Sequence, residues 1–141
     1  MTVRLSDEAR QLAALFETET EATVRDCVLD EEFDRAILLI KPGEMAKAIG
    51  AAGEHVSRVE ERIGQSIKLV EDAATPEAFV ANALAPAAVY NVTISENDDR
   101  LAYAEVDDAD RGAAIGEDGK NIEAARLLAR RHFDIDDIEL S

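Results

Sequence analysis

A nine-residue pattern that occurs twice constrains this chain more than any other feature. The first copy reads Ala48-Ile-Gly-Ala-Ala-Gly-Glu-His-Val56, and the second, 66 residues later, reads Ala114-Ile-Gly-Glu-Asp-Gly-Lys-Asn-Ile122. Each copy holds a G-x-x-G loop followed three positions later by an aliphatic residue. The same shift aligns Ile67 with Phe133. Because self-similarity at a fixed period is typical of a repeated structural unit, we expect two copies of one fold.

Hydrophobic periodicity and turn residues give both halves one element order: helix, strand, strand, helix, glycine loop, helix, strand. In the first half the predicted elements are a helix from Ser6 to Glu17, strands 23–29 and 33–40, helices 43–49 and 54–63, and a strand 66–70. In the second half they are a helix 76–84, strands 88–94 and 101–106, a short helix ending at 115, a helix 120–132 and a strand 135–140. The sequence therefore predicts an α+β fold with tandem domains 1–72 and 73–141.

Polar residues mark the starts of several predicted helices. Ser6 and Thr75 are expected to be N-caps, and Thr75 is followed by a proline at the first helical position. Asp107-Asp108 is expected to cap the short helix of the second half. Along the strand 88–94, period-two alternation predicts that Tyr90 and the aliphatic residues after it point inward.

The glycine loops suggest a use for their helix pairs. A residue without a β-carbon lets the backbone turn sharply and approach a ligand closely, and the helix that follows presents amide groups and a positive dipole end to a phosphate. We expect Ile49 and Val56, and likewise Ile115 and Ile122, to anchor the two helices beneath each loop. One such loop is a weak signal, since glycine often ends helices. Two copies in the same element order are much more specific.

The element order and the I-G-x-x-G loops resemble the K-homology (KH) domain of the prokaryotic type. The tandem resembles the KH pair of the NusA family, and the segment Ala114 to Ile135 is especially similar to the second KH domain of that family. This resemblance covers essentially the whole chain. It implies two type II KH domains, α-β-β-α-α-β each, with helices packed on one face of a three-stranded sheet. It also implies binding of single-stranded RNA, such as a nascent transcript, and a role in transcription termination or antitermination with RNA polymerase.

The two loops depart from the KH pattern, which usually has a basic residue between the glycines. Here the inner positions are Ala51-Ala52 and Glu117-Asp118. Two carboxylates repel a phosphodiester, so the sequence argues against phosphate contact by the second loop. The positive charge of Lys120, which directly follows the loop, acts in the opposite direction. The candidate RNA-binding residues surround both loops: Lys47, Ile49, Gly50, Ala51, Ala52, Gly53, His55, Val56, Arg58, Ile115, Gly116, Glu117, Asp118, Gly119, Lys120, Ile122 and Arg126. We expect Gly50→Asp and Gly116→Asp to weaken RNA binding and leave the fold intact.

Charge bears on the partner and on the source. With 31 acidic and 15 basic residues the net charge is −16, which ordinarily argues against a polyanionic partner. Ten of the 15 bases, however, lie in segments 41–68 and 111–131. They form either a binding face or a solvated helix surface with incidental ion pairs. Acid excess with scarce lysine predicts a halophilic archaeal source, where molar salt screens the repulsion.

The remaining motifs exclude other chemistry. The segment 114–121 lacks the first glycine and the final Ser or Thr of a P-loop, and the isolated His55 and His132 lack zinc-ligand spacing. The lone Cys27 is expected to be a buried apolar residue. We therefore expect no enzyme, cofactor, metal or small-molecule substrate, and a cytoplasmic protein without a membrane span. Two alternatives stay open: a protein–protein module on RNA polymerase or the ribosome without RNA contact, and a DNA-binding helix–turn–helix protein.

Overall fold

The computed structural model describes residues 5–141, and these divide into two compact units, 5–72 and 73–141. Each unit has the predicted element order and a three-stranded sheet of its own. The first unit consists of α1 (Asp7–Thr20), β1 (Val24–Asp30), β2 (Arg35–Ile40), α2 (Met45–Ile49), α3 (Glu54–Ile63) and β3 (Ser66–Glu71). The second consists of α4 (Pro76–Ala83), β4 (Val89–Glu96), β5 (Arg100–Val106), α5 (Asp108–Ile115), α6 (Lys120–Phe133) and β6 (Asp137–Leu140).

Both sheets have the same topology, with the second strand in the middle. In the first unit β1 pairs with β2 antiparallel and β3 pairs with β2 parallel. In the second unit β5 is the central strand and β6 is its parallel partner. In each unit the crossover between the two parallel strands contains two helices with the glycine loop between them: α2 and α3 in the first unit, α5 and α6 in the second. This is the α-β-β-α-α-β arrangement that the resemblance implies, and the α+β prediction is confirmed.

Helix starts follow the predicted caps in two cases out of three. The Ser6 hydroxyl accepts a hydrogen bond from the Ala9 amide at 3.1 Å, and the Thr75 hydroxyl accepts one from the Ala78 amide at 3.2 Å. Asp107 stands at the N-cap of α5, but its carboxylate makes no capping bond there. The expectation for Asp107 is therefore wrong in its chemistry, because this side chain interacts with Tyr90 instead.

Each core is built where helices meet one face of the sheet. In the first unit Phe16 of α1, Leu38 of β2 and Val59 of α3 are fully buried in one cluster that also holds Cys27. In the second unit Phe79 of α4 and Leu128 of α6 are fully buried. The Phe79 ring meets the ring of Phe133 edge-on at 4.9 Å between centroids, a favourable aromatic geometry. The helices are thus fixed by burial of their apolar sides.

A β-bulge overturns the expected direction of Tyr90. Val89 pairs with Val106 and Asn91 pairs with Glu105, so Tyr90 is an extra residue without a partner on β5. A bulge shifts the alternation of side chains by one position. Tyr90 therefore points outward and is 68% exposed, while the aliphatic residues after it stay half-buried.

The constant shift of 66 residues also fails at the third strand, beyond the last helix of each unit. Ile67 lies opposite Ala36 and Ile138 lies opposite Ala102 in the equivalent pairs of the two sheets. The structural counterpart of Ile67 is therefore Ile138 and not Phe133. The shift grows by five residues: four lie in the last helix, since α3 has 10 residues and α6 has 14, and one lies between that helix and the third strand.

Candidate nucleic-acid interface

The two glycine loops have nearly the same backbone. Gly50 has φ 77° and ψ 173°, and Gly116 has φ 79° and ψ 167°, a conformation that is essentially restricted to glycine. At the third loop position Ala52 has φ 55° and ψ 28°, and Asp118 has φ 56° and ψ 22°. The backbone therefore takes one path in both units, whichever side chains stand between the glycines.

The first glycine of each loop is also required sterically. A β-carbon at Gly50 would lie 2.6 Å from Cγ of His55, and one at Gly116 would lie 2.8 Å from the backbone N and from Cβ of Asn121. Real β-carbons do not approach other atoms so closely. The expectation that Gly50→Asp and Gly116→Asp leave the fold intact is therefore wrong, because any side chain there displaces the start of the next helix.

The second glycine serves conformation alone. Gly53 and Gly119 both have φ 75°, in the left-handed region that favours glycine. A β-carbon at Gly53 would approach nothing closer than the Ser57 hydroxyl at 4.0 Å, and one at Gly119 would meet nothing within 4 Å. These positions therefore tolerate added bulk better than the first glycines do.

Alanines, not isoleucines, hold α2 and α5 against the core. Ala48 and Ala114 are fully buried, whereas Ile49 is 38% exposed and Ile115 is 40% exposed. Successive helical residues differ by about 100° around the axis, so only one of two neighbours can face the core. The expected anchoring by Ile49 and Ile115 is wrong, and each instead presents an apolar surface beside its loop.

The expected anchors on the following helices do face inward. Ile122 is 6% exposed and Val56 is half-buried against the core of its unit. The helix that follows each loop is therefore the one whose aliphatic residue anchors the loop to the core.

His55 and Asn121 occupy equivalent places under the first glycines. Nδ1 of His55 lies 2.7 Å from the Lys47 carbonyl oxygen, and the Asn121 amide donates to the Ala114 carbonyl at 3.2 Å. Asn121 also donates to the Leu84 carbonyl at 3.0 Å. In both units a polar side chain at the start of the second helix thus ties down the end of the short helix before the loop.

Several bases around the first loop are engaged by acids. Arg58 pairs with Glu54 at 2.8 Å and Arg62 pairs with Glu19 at 2.7 Å. Burial, and secondarily the charge of Arg35, lower the pKa of the Lys68 ammonium. Lys47 is exposed and has no carboxylate within 4.0 Å among residues 5–141. For Arg58 and Arg62 the ion-pair interpretation is the one that the structure supports, and Lys47 is the base best placed to meet an anion.

Arg126 lies on α6 but is not brought to the loop. Its guanidinium donates to Glu123 at 2.7 Å and to the Ile138 carbonyl at 3.1 Å, and its Nε lies 2.7 Å from Asp137. Glu60, the equivalent residue of α3, accepts from the Ile67 amide at 2.8 Å. Each side chain fastens the last helix of its unit to the third strand, so RNA contact by Arg126 stays a prediction that its own contacts do not favour.

The inner loop positions define the chemical difference between the two candidate sites. Ala51 and Ala52 are exposed and uncharged, and Glu117 and Asp118 are exposed carboxylates. Lys120 is half-buried at the first position of α6. The first site therefore combines a neutral loop, an exposed Ile49 and a lysine, whereas the second adds two negative charges to the same backbone.

Sequence reasoning missed Tyr90 as a surface group. A hydrogen bond to the Asp107 carboxylate, together with the charge of that carboxylate, raises the pKa of the Tyr90 phenol. In the sequence, Val89 and Val92 are three residues apart, which breaks the alternation but does not show which residue is the extra one. Only the pairing with β5 reveals the bulge.

In residues 5–141 no cluster of three or more His, Cys, Asp or Glu side chains could hold a metal ion. Within the same range no helix has the length and apolar character needed to cross a membrane.

Comparison with known proteins identifies the family. Residues 12–74 match the model of the KH domain, and residues 76–141 match the model of the NusA-like second KH domain. The chain is 62% identical over 141 residues to the probable transcription termination protein NusA of Halobacterium salinarum, covering 100% of both chains. The chain belongs to the NusA family. Another NusA relative, from Halococcus morrhuae, is 58% identical over 141 residues and also covers 100% of both chains.

A solved structure has the same fold over nearly the whole chain. The crystal structure of APE1850 is 29% identical to the chain, with a TM-score of 0.85, and the match covers 97% of this chain and 100% of that one. The tandem KH fold is therefore confirmed by sequence and by structure. Both NusA relatives named above come from halophilic archaea, in agreement with the source that the acidic composition of this chain predicts.

Proposed function

We propose that this NusA-family chain binds single-stranded RNA through its glycine loops, chiefly the first, and acts with RNA polymerase in transcription termination or antitermination. The observation that carries the proposal is the first loop: an uncharged glycine turn with Ile49 exposed beside it and with Lys47 exposed and without a carboxylate within 4.0 Å among residues 5–141. KH loops clamp about four nucleotides of backbone while bases lie against an apolar surface. The names of the relatives support the link to transcription termination.

The test transfers the inner residues of the second loop to the first. Ala51→Glu with Ala52→Asp keeps the backbone, because Asp118 already adopts the same left-handed conformation at the equivalent position. Like charges placed against one another across an interface cost several kcal/mol, so we expect RNA affinity to fall about tenfold or more. Fluorescence anisotropy with a labelled oligouridylate, in molar KCl, measures it.

A matched control changes charge by the same amount away from the loop. Asn91 and Thr93 are exposed on β4, and Asn91→Glu with Thr93→Asp should leave RNA affinity nearly unchanged. Equal affinities of the loop variant and the unmodified chain would overturn the proposal.

Glu117 and Asp118 favour a second candidate, a KH module that docks on RNA polymerase without touching RNA. Under that alternative neither the loop variant nor the control changes RNA binding, and oligouridylate binding by the unmodified chain is itself negligible. The same titration therefore separates the two functions.

A further inference from the structure

The first unit carries a groove that the proposed RNA contact does not use. Three adjoining cavities share Gln65 in their walls, just beyond the end of α3. The glycine loop precedes the first residue of α3, and a helix of this length spans about 15 Å. Loop and groove thus lie at opposite ends of the same helix.

One of the three cavities is open to solvent and is lined more by apolar than by polar surface. It measures about 280 Å³ and lies between α1, the end of β1 and the end of α3, with Leu12, Leu15, Leu29 and Ile63 in its walls. Leu15, Leu29 and Ile63 are only half-buried. Pockets for whole small molecules usually measure roughly 300–1,000 Å³ and enclose most of the ligand. A volume at the lower limit, open on one side, fits one or two inserted side chains better.

The rim of the groove is acidic. Six carboxylates line the three cavities, and no lysine or arginine of residues 5–141 does: Glu8, Asp30, Glu31, Asp34, Glu60 and Glu61. Three of these have partners, since Asp30 pairs with Arg35 at 2.9 Å, Asp34 accepts from Gln65, and Glu60 accepts from the Ile67 amide. Glu8, Glu31 and Glu61 are exposed and form no ion pair with the residues described.

These features select one class of occupant. Phosphates of a nucleic acid, or the acidic side chains that outnumber basic ones 31 to 15 on a second copy of the chain, would be placed in direct contact with the carboxylates of the rim. In molar salt the Debye length falls to about 3 Å, so only direct contacts count: burial of apolar side chains and ion pairs at van der Waals distance. Both are supplied by a polypeptide that carries aliphatic residues between lysines or arginines.

We propose that this acidic-rimmed groove docks a basic polypeptide segment of another protein, which inserts one or two aliphatic side chains between Leu15, Leu29 and Ile63. The proposal does not depend on RNA binding by the loops.

The test uses the full chain, labelled with ¹⁵N, in molar KCl. Synthetic peptides KKLLKK and KKIIKK serve as probes, and KKSSKK lacks the aliphatic anchors. We expect saturable shifts of the Leu15, Leu29 and Ile63 amide resonances with the first two peptides and not with the third. Leu15→Ala should weaken binding of the anchored peptides.

Charge variants keep the test independent of core packing. Glu31→Lys with Glu61→Lys should weaken peptide binding about tenfold, a change of about 1.4 kcal/mol. Asp98→Lys with Glu139→Lys makes the same change in net charge at exposed positions of the second unit and should have no effect.

Four results would overturn the proposal. The first is an equal loss of peptide binding in both charge variants, and the second is that KKSSKK shifts the amide resonances as much as the anchored peptides do. The third is that oligouridylate shifts the same amide resonances. The fourth is that these resonances shift with protein concentration in the absence of peptide, which would identify a second copy as the occupant. Absent RNA binding with intact peptide binding would reject the proposed function alone.

Discussion

The two units build one loop backbone and give it opposite chemistry. Gly50 and Gly116 agree within a few degrees in both dihedrals, yet the residues that follow are neutral in one unit and doubly negative in the other. The backbone depends on the glycines and on buried alanines beneath them, which both units share. The inner positions are exposed and do not take part in the core. Loop shape and loop chemistry are therefore specified by different residues and can change independently.

The same division applies to the fastening of the last helix. Glu60 accepts a hydrogen bond from the Ile67 amide, while Arg126 donates one to the Ile138 carbonyl. At equivalent positions an acid in one unit and a base in the other therefore connect the last helix to the backbone of the third strand. Position is conserved between the units, and the sign of the charge is not.

The largest effect should come from the glycines that the units share. Gly50→Ala forces a β-carbon against His55 in a backbone region restricted to glycine, so we expect a loss of about 3 kcal/mol in the free energy of unfolding. Gly53→Ala meets no close atom and should cost about 1–2 kcal/mol. Urea denaturation in molar KCl measures both. Equal costs would show that steric contact with His55 is unimportant.

The fastening residues should give a smaller effect. Arg126→Ala removes bonds to Glu123 and Ile138 and should lower the free energy of unfolding by about 1–2 kcal/mol, and Glu60→Ala should lower it by about 1 kcal/mol. Arg111→Ala, at a half-buried position on α5, is the control for loss of an arginine. If Arg126→Ala weakened RNA binding without changing the free energy of unfolding, Arg126 would be a residue of the RNA interface and not one that stabilises the fold.

Neutralising the second loop should strengthen RNA binding modestly. Glu117→Ala with Asp118→Ala removes two exposed charges whose individual interactions are each worth less than about 1 kcal/mol. We expect oligouridylate affinity to rise about two- to fivefold, with a larger gain at low salt. Glu105→Ala with Glu139→Ala, at exposed positions on β5 and β6, controls for net charge. No gain at any salt concentration would mean that this loop does not approach RNA.

The smallest effect concerns the two β-bulges. Arg25 is the extra residue of β1 and pairs with Asp72 at 2.9 Å, whereas Tyr90 is the extra residue of β4 and bonds to Asp107. The raised pKa favours the neutral phenol in the folded chain. This contribution to stability is present below pH 10.0, the ordinary pKa, and is lost as the pH rises through the raised value.

Absorbance of tyrosinate against pH measures this shift. In a Tyr103→Phe background Tyr90 is the one tyrosine left, and it should titrate above its ordinary pKa. Adding Asp107→Asn should lower that pKa. An unchanged titration in the double variant would contradict the hydrogen bond.

The element order could be predicted from the sequence because hydrophobic periodicity, N-caps such as Ser6 and the paired glycines are local signals. The outward Tyr90 could not, since a bulge is defined by the partner strand. The counterpart of Ile67 was misassigned because α6 has four residues more than α3, a difference that periodicity alone does not locate.

At the candidate site the positions of the glycine loops and the charge of their inner residues could be predicted directly from the sequence. The buried alanines could not, because an isoleucine next to an alanine at a helix end is ordinarily the better core residue. The pairing of Arg58 and Arg62 with acids depends on side-chain geometry that spacing only suggests.

The parallel pairing of β2 with β3 has a kinetic consequence. The six residue pairs from Arg35 with Ser66 to Ile40 with Glu71 form only after the intervening chain has folded back on itself, and such non-local pairing is slow compared with helix formation. The glycine loop lies within that intervening chain. The helices on either side of that loop have 5 and 10 residues, too few to be stable in isolation. We therefore expect the angle between them, and with it the shape of the loop, to become fixed only when they pack against the completed sheet.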